Sequence, residues 1–428
     1  MVAILGANSV SGGYEISNSL RFNDDDGPEL KRTPSSAGDR KTFTTSFWVK
    51  RGNLGTSQRL WSAGTSIGTN NNNVSSLLFE TNDTLKFFGE ISGSASFTLQ
   101  TNQVFRDVNA WYHIVLAVDT TQSTSSNRVK IYVNGNQVTD FGTETYMSQD
   151  VNTFYNADNL NMLSYGGSGG KIDGYIAEFV NIDGTALTQT SFGEFDDNGV
   201  WIPIDVSGLD FSGTNSCHLE FKQTGTSQNS SGIGADTSGN DNHFAVTNLA
   251  STDVTEDTCT NNFATLNPLK TTSTNANLSE GNTKFSVTAN GTSQNRNTFP
   301  TISFPTSGKW YMEVKATHSN LASDSGNQIY IGVMENPQNV DHRSTSNANS
   351  ISTNGIISNV RIVATLSDAI ANGTNGSLTT YNTDPDWSSG DIIGIAMDMD
   401  NGRIYYHLNG TYYDDASGNV PNPNTPAN

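Results

Sequence analysis

Two segments of the chain share one pattern: an apolar strand, a polar connection, an aromatic strand and a closing Asn-Gly pair. The later copy spans residues 390–410, contains Asp400-Asn401-Gly402 and ends at Asn409-Gly410; the earlier copy spans residues 111–135 and ends at Asn134-Gly135. Asn and Gly tolerate the positive φ of a type I′ turn, so this pair between apolar runs is a strong β-hairpin signal. We expect a tight turn of this type at Asp400-Asn401-Gly402. Two such units predict two antiparallel β-sandwiches, scaffolds that serve recognition more often than chemistry.

The composition supports an all-β fold with more than one domain. The chain has 428 residues, and single cores usually stop growing near ~250–300 residues. Charged residues make up 15% and the hydrophobic set 34%. Much of the remainder is Asn, Ser, Thr and Gly, which favour turns over helices, and no long helical periodicity is present. We therefore predict an all-β protein of two antiparallel β-sandwiches joined by an irregular bridge.

The charge balance restricts the partners. The chain carries 22 basic and 42 acidic residues, a formal net charge of −20, with no basic stripe for phosphate binding, so we expect no nucleic-acid partner. An acidic surface serves either solubility or calcium binding through oxygen ligands. No run approaches ~18 apolar residues, which argues against membrane insertion. The first residues lack the basic and apolar regions of a signal peptide, so we expect synthesis in a cytoplasm.

Strand signals and composition divide the chain into five parts. These are an N-terminal arm (1–18), a jelly roll (19–204), an irregular polar bridge (205–277), a second β-sandwich (278–413) and a Pro- and Asn-rich C-terminal tail (414–428). The only cysteines, Cys217 and Cys259, both lie in the bridge and are too few for a disulfide framework. Two interpretations stay open for them: free thiols or a single disulfide.

Each sandwich resembles a known domain family. Residues 20–190 resemble a laminin-G-like, concanavalin A-type jelly roll through Phe47-Trp48-Val49, Trp111-Tyr112-His113-Ile114, Tyr132-Val133-Asn134-Gly135 and the strand Gly174-x-Ile176-x-Glu178. Residues 278–413 resemble a SPRY-type domain through Gly308-Lys309-Trp310-Tyr311-x-Glu313, Ile331-Gly332-Val333, Gly390-Asp391-x-Ile393-Gly394 and Tyr405-x-x-Leu408-Asn409-Gly410. SPRY-type domains continue past this hairpin with further strands. The resemblance therefore implies that the second sandwich is incomplete, or that another chain completes it.

The combination is similar to virion structural proteins and fibres of marine tailed bacteriophages. This resemblance is carried by residues 32–40, and by Asp236-x-Ser238-Gly239-Asn240 leading to the segment 261–267. It implies a protein assembled in the bacterial cytoplasm, located in the virion and extracellular after lysis. The implied partners are other virion proteins, a host surface glycan and further copies of the same chain in a homo-oligomer.

The residues argue against an enzyme. Glycosidases on a jelly roll use two carboxylates a few ångströms apart, whereas Glu178 is a lone carboxylate on an apolar strand. None of the six histidines lies at metal-ligand spacing, and no nucleophile elbow or phosphate-binding loop is present. We therefore expect no catalytic residues, and no cofactor apart from calcium.

Two loops are candidates for calcium and four aromatic residues for sugar. Asp236, Ser238 and Asn240 place oxygen ligands at alternate loop positions, and residues 23–27 form a second acidic loop. The alternative for both loops is an ordinary Asx-turn. Aromatic rings in loops can stack on the apolar faces of sugars or pack at a domain rim. The residues in such contexts are Tyr155, Trp387, Tyr412 and Tyr413.

These observations lead to two functional hypotheses. The first is a non-enzymatic bacteriophage virion protein, a tail fibre or spike that binds a host surface polysaccharide. The alternative is a capsid-decorating or tail-assembly protein whose sandwiches contact other virion proteins. The alternative is favoured by the position of the jelly roll, which starts near residue 20, and by the lack of a heptad run that could trimerise a shaft.

Overall fold

The computed structural model describes residues 13–65, 67, 72–157, 159–162, 170–270, 276–287, 298–317, 330–333, 358–364, 369–374, 377–382 and 388–412. These residues form β-strands and, in place of any α-helix, single 3₁₀ turns at Asp24–Asp26, Ser125–Asn127, Gln189–Ser191, Ser251–Asp253 and Pro268–Lys270. The all-β prediction is thus confirmed.

The chain divides into two compact units. The larger unit contains Gly6–Leu269 and Asn277–Ser286, and the smaller unit contains Met1–Leu5, Lys270–Ala276 and Val287–Asn428. The strands before residue 270 are β1 (Ser19–Phe22), β2 (Glu29–Arg32), β3 (Thr42–Arg51), β4 (Gln58–Gly64), β5 (Asn73–Phe79), β6 (Thr84–Ile91), β7 (Ser94–Val104), β8 (Trp111–Asp119), β9 (Val129–Val133), β10 (Asn136–Gln137), β11 (Phe141–Thr145), β12 (Asn159–Met162), β13 (Gly174–Asp183), β14 (Gly193–Phe195), β15 (Trp201–Pro203), β16 (Cys217–Leu219), β17 (Ala245–Thr247) and β18 (Val254–Thr255).

The described strands after residue 270 form three small sheets. Two of the strands, β19 (Ala276–Ser279) and β20 (Lys284–Val287), make a hairpin. The others are β21 (Lys309–Lys315), β22 (Tyr330–Val333), β23 (Ser358–Ala364), β24 (Ala369–Thr374), β25 (Ser377–Asn382), β26 (Ile392–Asp398), β27 (Arg403–Leu408) and β28 (Thr411–Tyr412).

Two antiparallel sheets build the sandwich of the larger unit. The first sheet has the order β10-β9-β8-β3-β13-β1-β18, with β16 paired to β13, and the second has the order β11-β7-β6-β5-β4-β12-β2-β17. Side chains alternate between the two faces of a strand. Phe47 and Val49 of β3 therefore point to one face and join Trp61 and Phe87 of the second sheet in a single apolar core.

The first sheet is buried on both of its faces. Nearly every residue of β3, β8 and β13 is buried, a pattern typical of a sheet covered on each side. The face away from the sandwich core carries Val115 and Val180, which pack with Phe192 and Val206 from the chain after β13. Farther along, Ile16 of the predicted arm packs with the aromatic side chains of that face. The final residues of the arm thus belong to the larger unit.

The structure departs most from the sequence-based expectation in the predicted bridge, residues 205–277. Its residues up to Leu269 belong to the larger unit, because β16 pairs with β13, β17 with β2 and β18 with β1. The boundary expected at 204/205 therefore lies inside this unit. These strands have only two or three residues, too few for an alternating pattern to be visible in sequence.

The Asn-Gly pairs close hairpins as expected, but the expected central turn is different. Asn134 (φ 46°) and Gly135 (φ 78°) are both left-handed between β9 and β10. Asn409 (φ 51°) and Gly410 (φ 87°) repeat this between β27 and β28. Positive φ at both central residues is the mark of a type I′ turn. Between β26 and β27 only Gly402 is left-handed (φ 64°), so the predicted type I′ turn at residues 400–402 is wrong: four residues separate the strands.

The smaller unit contains two four-stranded antiparallel sheets, ordered β21-β26-β27-β28 and β22-β23-β24-β25. Among the described residues of this unit, Ala316, Ile393, Ile395 and Tyr406 form a buried apolar cluster. The predicted tail, residues 414–428, and residues 1–12 of the predicted arm lie outside the described residues.

Both cysteines are free thiols, which resolves the alternative left open by the sequence. Burial raises the pKa of each thiol well above its usual range, so neither is activated as a nucleophile. Among the residues described, no helix is long and apolar enough to cross a membrane.

Candidate binding cleft

A shallow, open cleft of about 530 Å³ lies on the surface of the larger unit. Three parts of the chain that are far apart in sequence build it: β1 with the following 3₁₀ turn, residues 248–253, and the turn between β19 and β20. Its lining residues are Arg21, Asp26, Asn248, Leu249, Ala250, Thr252, Asp253 and Glu280. The walls are thus mostly polar, with hydrogen-bond donors and acceptors from each part.

Arg21 connects two walls of the cleft. The neighbouring Leu20 points into the core, so alternation along β1 turns Arg21 away from it. Arg21 Nη2 lies 2.9 Å from Asp253 Oδ1 and 3.0 Å from Glu280 Oε2. These side chains are between 17% and 27% exposed, so the ion pairs are only partly screened by solvent. The guanidinium group therefore fixes two carboxylates at the mouth of one concave surface.

The backbone of the cleft is held in uncommon conformations. Asn248 (φ 53°) and Glu280 (φ 58°) are both left-handed, although neither is glycine. The Asn248 carboxamide donates to the carbonyl oxygens of Asp26 (2.8 Å) and Gly27 (3.3 Å). Such conformations cost free energy and concentrate at binding sites, where the surrounding structure maintains them.

A buried carboxyl and a buried tyrosine support the Glu280 turn from below. Asp173 Oδ1 accepts a hydrogen bond from the Gly281 nitrogen at 3.0 Å, and the Tyr175 hydroxyl donates to the Gly281 carbonyl at 2.8 Å. A Cβ at Gly281 would lie 2.7 Å from the Tyr175 ring, so glycine is required there. These contacts hold the Glu280 turn in place before any ligand arrives.

The electrostatics of the cleft are acidic. One guanidinium faces three carboxylates, those of Asp26, Asp253 and Glu280. Burial raises the pKa of Asp173 to about 7, and the nearby charges of Asp24, Asp25 and Glu280 add to the effect. Because negative charge accumulates here, the cleft favours neutral or cationic polar groups and disfavours anions.

The loop predicted to bind calcium is held instead by its own hydrogen bonds. Asp236 is buried, and its Oδ1 accepts from the backbone nitrogens of His218 (2.8 Å) and Ser238 (2.9 Å). Its Oδ2 accepts from the Ser238 hydroxyl and the Asn242 nitrogen, both at 2.9 Å. Asn240 directs its NH₂ group at the carbonyls of Phe211 and Ser216. Because donors already surround the carboxylate, the geometry corresponds to the Asx-turn alternative and does not fit a calcium ligand set.

The second calcium candidate, residues 23–27, forms the 3₁₀ turn beside the cleft. The Asn23 carboxamide donates to Asp26 Oδ2 at 2.7 Å, and Asn53 donates to Asp24 Oδ2 at 3.1 Å. Within the described residues, no group of three or more His, Cys, Asp or Glu side chains is placed to hold a metal ion.

The four predicted sugar-binding residues have different outcomes. Tyr155 is fully buried in the sandwich core, with its ring stacked 4.6 Å from that of Phe43, so the prediction that it contacts sugar is wrong. Tyr412 is half-buried in the smaller unit, with its ring edge-on to His407 at 5.1 Å. Trp387 and Tyr413 lie outside the described residues.

Glu178, the lone carboxylate of the sequence, lies in a bulge of β13 with φ 49°. It is buried, and its Oε1 lies 2.6 Å from His218 Nε2 and accepts from the Tyr14 hydroxyl at 3.3 Å. These contacts join β13, β16 and the end of the arm.

Sequence reasoning did not find the residues that build the cleft. Arg21, Asn248, Asp253 and Glu280 are isolated polar residues in strands and loops, with no motif between them. The acidic loop 23–27, which contributes Asp26, was the one local signal.

Part of the larger unit is similar to a known protein family. Residues 24–191 match Laminin_G_3, a family described as the concanavalin A-like lectin/glucanases superfamily. The search of curated proteins gave no match.

Three solved structures illustrate the similarity. A heptameric SAP-like pentraxin from Limulus polyphemus is 16% identical over 41% of this chain and 80% of its own (TM-score 0.30). Mouse laminin α1 domains LG4-5 are 9% identical over 96% and 80% (TM-score 0.31). The CBM40 module of the Ruminococcus gnavus IT-sialidase, bound to α2,3 sialyllactose, is 15% identical over 35% and 87% (TM-score 0.24). On the family match, residues 24–191 of the larger unit have a laminin G-like, concanavalin A-like fold.

Proposed function

We propose that this chain is a non-catalytic recognition protein that binds a saccharide in the cleft of its larger unit. The observation that carries the proposal is Arg21, held between Asp253 and Glu280 at 2.9 and 3.0 Å on a concave, polar surface. Vicinal hydroxyls of a sugar are recognised by planar groups that accept or donate two hydrogen bonds, and carboxylates and guanidinium groups are of this kind.

The charge of the cleft defines the sugar class. Asp26, Asp253 and Glu280 outnumber Arg21, and the whole chain carries −20. Uronic acids, sialic acids and sulfated sugars would meet repulsion and would have to be desolvated beside like charges. A neutral hexose or an amino sugar fits, because hydroxyl and ammonium groups donate to carboxylates.

We place this recognition in a bacteriophage virion, as a tail fibre or spike that contacts host surface polysaccharide. Support comes from a contact between the two segments that carry the phage resemblance: Arg32 of the first donates to the Asn242 carboxamide, two residues beyond the Asp236–Asn240 motif of the second. The SPRY-like nature of the smaller unit belongs to the same proposal. The rival role, capsid decoration or tail assembly, uses the sandwiches for contacts with other virion proteins.

A glycan array tests the cleft directly. The purified chain and two cleft variants, Arg21→Gln and Glu280→Gln, are compared with Lys222→Gln, an exposed lysine that does not line the cleft. We expect binding to neutral or amino sugars. The glycan affinity of each cleft variant should fall about tenfold or more, because a lost charge-assisted hydrogen bond costs about 1.5–3 kcal/mol.

Two results would reject the sugar proposal. One is glycan binding that survives both cleft substitutions, which would place the ligand elsewhere. The other is the absence of binding to any glycan on the array together with tight binding to purified capsids or tails, which would establish the rival role.

A further inference from the structure

Lys50, at the end of β3, is fully buried among hydrogen-bond acceptors. Its Nζ lies 2.9 Å from Asp257 Oδ2, 2.8 Å from Asn262 Oδ1 and 2.8 Å from the Phe263 carbonyl oxygen. All three partners come from the segment after β18, over 200 positions away in sequence. The amine of Lys50 thus contacts both a carboxyl and a carboxamide in the interior of the larger unit.

Aromatic side chains enclose this group. The register of the first sheet places Lys50 beside Trp111 of β8 on one side and Tyr175 of β13 on the other. The Trp111 indole donates to Asp257 Oδ1 at 3.2 Å, and Lys50 Nζ lies 5.7 Å from the centre of the Tyr175 ring. The site is therefore shielded from water, which would otherwise keep the amine protonated and hydrated.

Burial acts in opposite directions on the two ionisable groups. It lowers the pKa of the Lys50 ammonium group and raises the pKa of the Asp257 carboxyl, while their mutual attraction opposes both changes. Both effects of burial favour transfer of a proton from the ammonium to the carboxylate. The product is a neutral amine, which is a nucleophile, next to a carboxylic acid, which can donate a proton.

We propose that Lys50 and Asn262 become joined by an intramolecular isopeptide bond, with Asp257 as the acid–base group. The lone pair of Lys50 Nζ attacks Asn262 Cγ, and the Asp257 carboxyl donates a hydrogen bond to Oδ1 as negative charge develops there. The Nζ–Cγ bond forms and the Cγ–Nδ2 bond breaks. A proton passes from Nζ through Asp257 to Nδ2, which leaves as ammonia, and the carboxyl group is regenerated.

The carboxamide is already oriented for this step. Asn262 Nδ2 donates to the Asn109 carbonyl at 2.9 Å, which fixes the leaving group on one side, while Oδ1 accepts from Lys50 Nζ on the other. Amine plus carboxamide gives a secondary amide plus ammonia, so the reaction requires no oxidant, metal or external cofactor. The preorganisation of the three groups provides the effective concentration.

The bond would tie a central strand to the chain after β18. Lys50 and Asn262 are 212 positions apart, so the cross-link would close a very long loop. A covalent link of this kind constrains the unfolded chain in the way a disulfide does, and independently of redox conditions. It would also keep the predicted bridge attached to the jelly roll.

Intact-mass spectrometry of the denatured, reduced protein tests the proposal. We expect a mass lower than that of the sequence by one ammonia. Trypsin should then leave Lys50 uncleaved and release residues 42–51 joined to residues 223–270, with fragment ions that place the link at Lys50 and Asn262.

Four outcomes would overturn the proposal: the full sequence mass; free peptides cleaved after Lys50; loss of one water with a link from Lys50 to Asp257; or loss of ammonia without a cross-link, as a succinimide at Asn262 would give. Since the wild-type chain alone decides between these results, a variant that fails to fold does not affect the test.

Variants assign the roles. Lys50→Met and Asn262→Ala should have the full mass because one reacting group is gone. Asp257→Asn should also have it, because the reacting groups remain but the acid–base group does not. The matched control is Lys41→Met. In the wild type, Lys41 Nζ lies 3.0 Å from Asp150 Oδ1 on the exposed surface. Lys41→Met should keep the ammonia deficit, and an Asp257→Asn variant that still cross-links would remove Asp257 from the mechanism.

Discussion

Asn134 is bound to the backbone of His113 by two hydrogen bonds. Its side-chain Oδ1 accepts from the His113 backbone nitrogen at 2.7 Å, and its own backbone nitrogen donates to the His113 carbonyl at 2.9 Å. Asn409 and Ile392 repeat this arrangement in the smaller unit, at 3.0 and 2.8 Å. In both places the Asn of an Asn-Gly turn closes its own hairpin and also holds the neighbouring strand. In each unit one Asn residue therefore holds the neighbouring strand through both its side chain and its backbone.

Replacing Asn134 separates these tasks. Asn134→Gly keeps the left-handed backbone and loses the side-chain bond, which should cost about 1 kcal/mol. Asn134→Ala loses the bond and also places a Cβ in the left-handed region, which should add roughly 1–2 kcal/mol. Urea unfolding of both variants measures the difference. Equal loss in the two variants would contradict the backbone contribution, and Gln137→Ala, an exposed neighbour, is the control.

The turns show which parts of this fold are local enough to predict. Asn134-Gly135 and Asn409-Gly410 require positive φ whatever surrounds them, so their residue types reveal the hairpins. The turn at residues 400–402 has the same residue types, but its conformation follows from a four-residue spacing between strands, which residue type alone does not specify. The strands β16 to β18 were missed because their partners are distant in sequence.

The same distinction applies to the sites. The loop context of Tyr155 in the sequence makes it a candidate for sugar stacking or rim packing, yet it lies in the core, where β4 supplies Trp61 with its ring centre 4.5 Å away. The cleft depends on Arg21 meeting Asp253 and Glu280, contacts that only the folded sheets create. Local sequence does not encode either relationship.

Tyr155→Phe should be nearly neutral for stability. In the described part of the structure, the Tyr155 hydroxyl is buried and has no hydrogen-bond partner, so its removal relieves an unsatisfied polar group while the ring packing stays. Tyr155→Ala, in contrast, removes a stacked aromatic ring and should cost about 3–5 kcal/mol. Thermal unfolding measures both changes. Glycan binding should be unchanged in Tyr155→Phe, and weakened binding in a normally stable variant would restore its role as a sugar contact.

Asp236→Asn should destabilise the larger unit by about 1–3 kcal/mol. One oxygen of the carboxylate becomes an NH₂ group that faces donors from Ser238, Asn242 or His218, and those donors lose their acceptor. The control Asp241→Asn changes an exposed neighbour and should have little effect. Since the loop is held by protein donors, a chelator should leave the melting temperature unchanged. A chelator-induced decrease that Asp236→Asn abolishes would establish the calcium site instead.

Because of Asp173, the free energy of unfolding of the larger unit should decrease as the pH rises toward neutrality. Burial, followed by the charges of Asp24, Asp25 and Glu280, raises its pKa from 3.8 to about 7, so between these values the folded state holds a proton that the unfolded chain releases. The unfolded state binds fewer protons there, and stability decreases with pH until the folded group ionises near pH 7. Asp173→Asn keeps an acceptor for the Gly281 nitrogen without the charge. It should match the wild type near pH 4 and exceed it at pH 8, by up to about 4 kcal/mol. Thermal unfolding across this pH range measures the effect, and Asp197→Asn, at an exposed position, is the control. A stability difference between Asp173→Asn and the wild type that does not change with pH would show that Asp173 ionises normally.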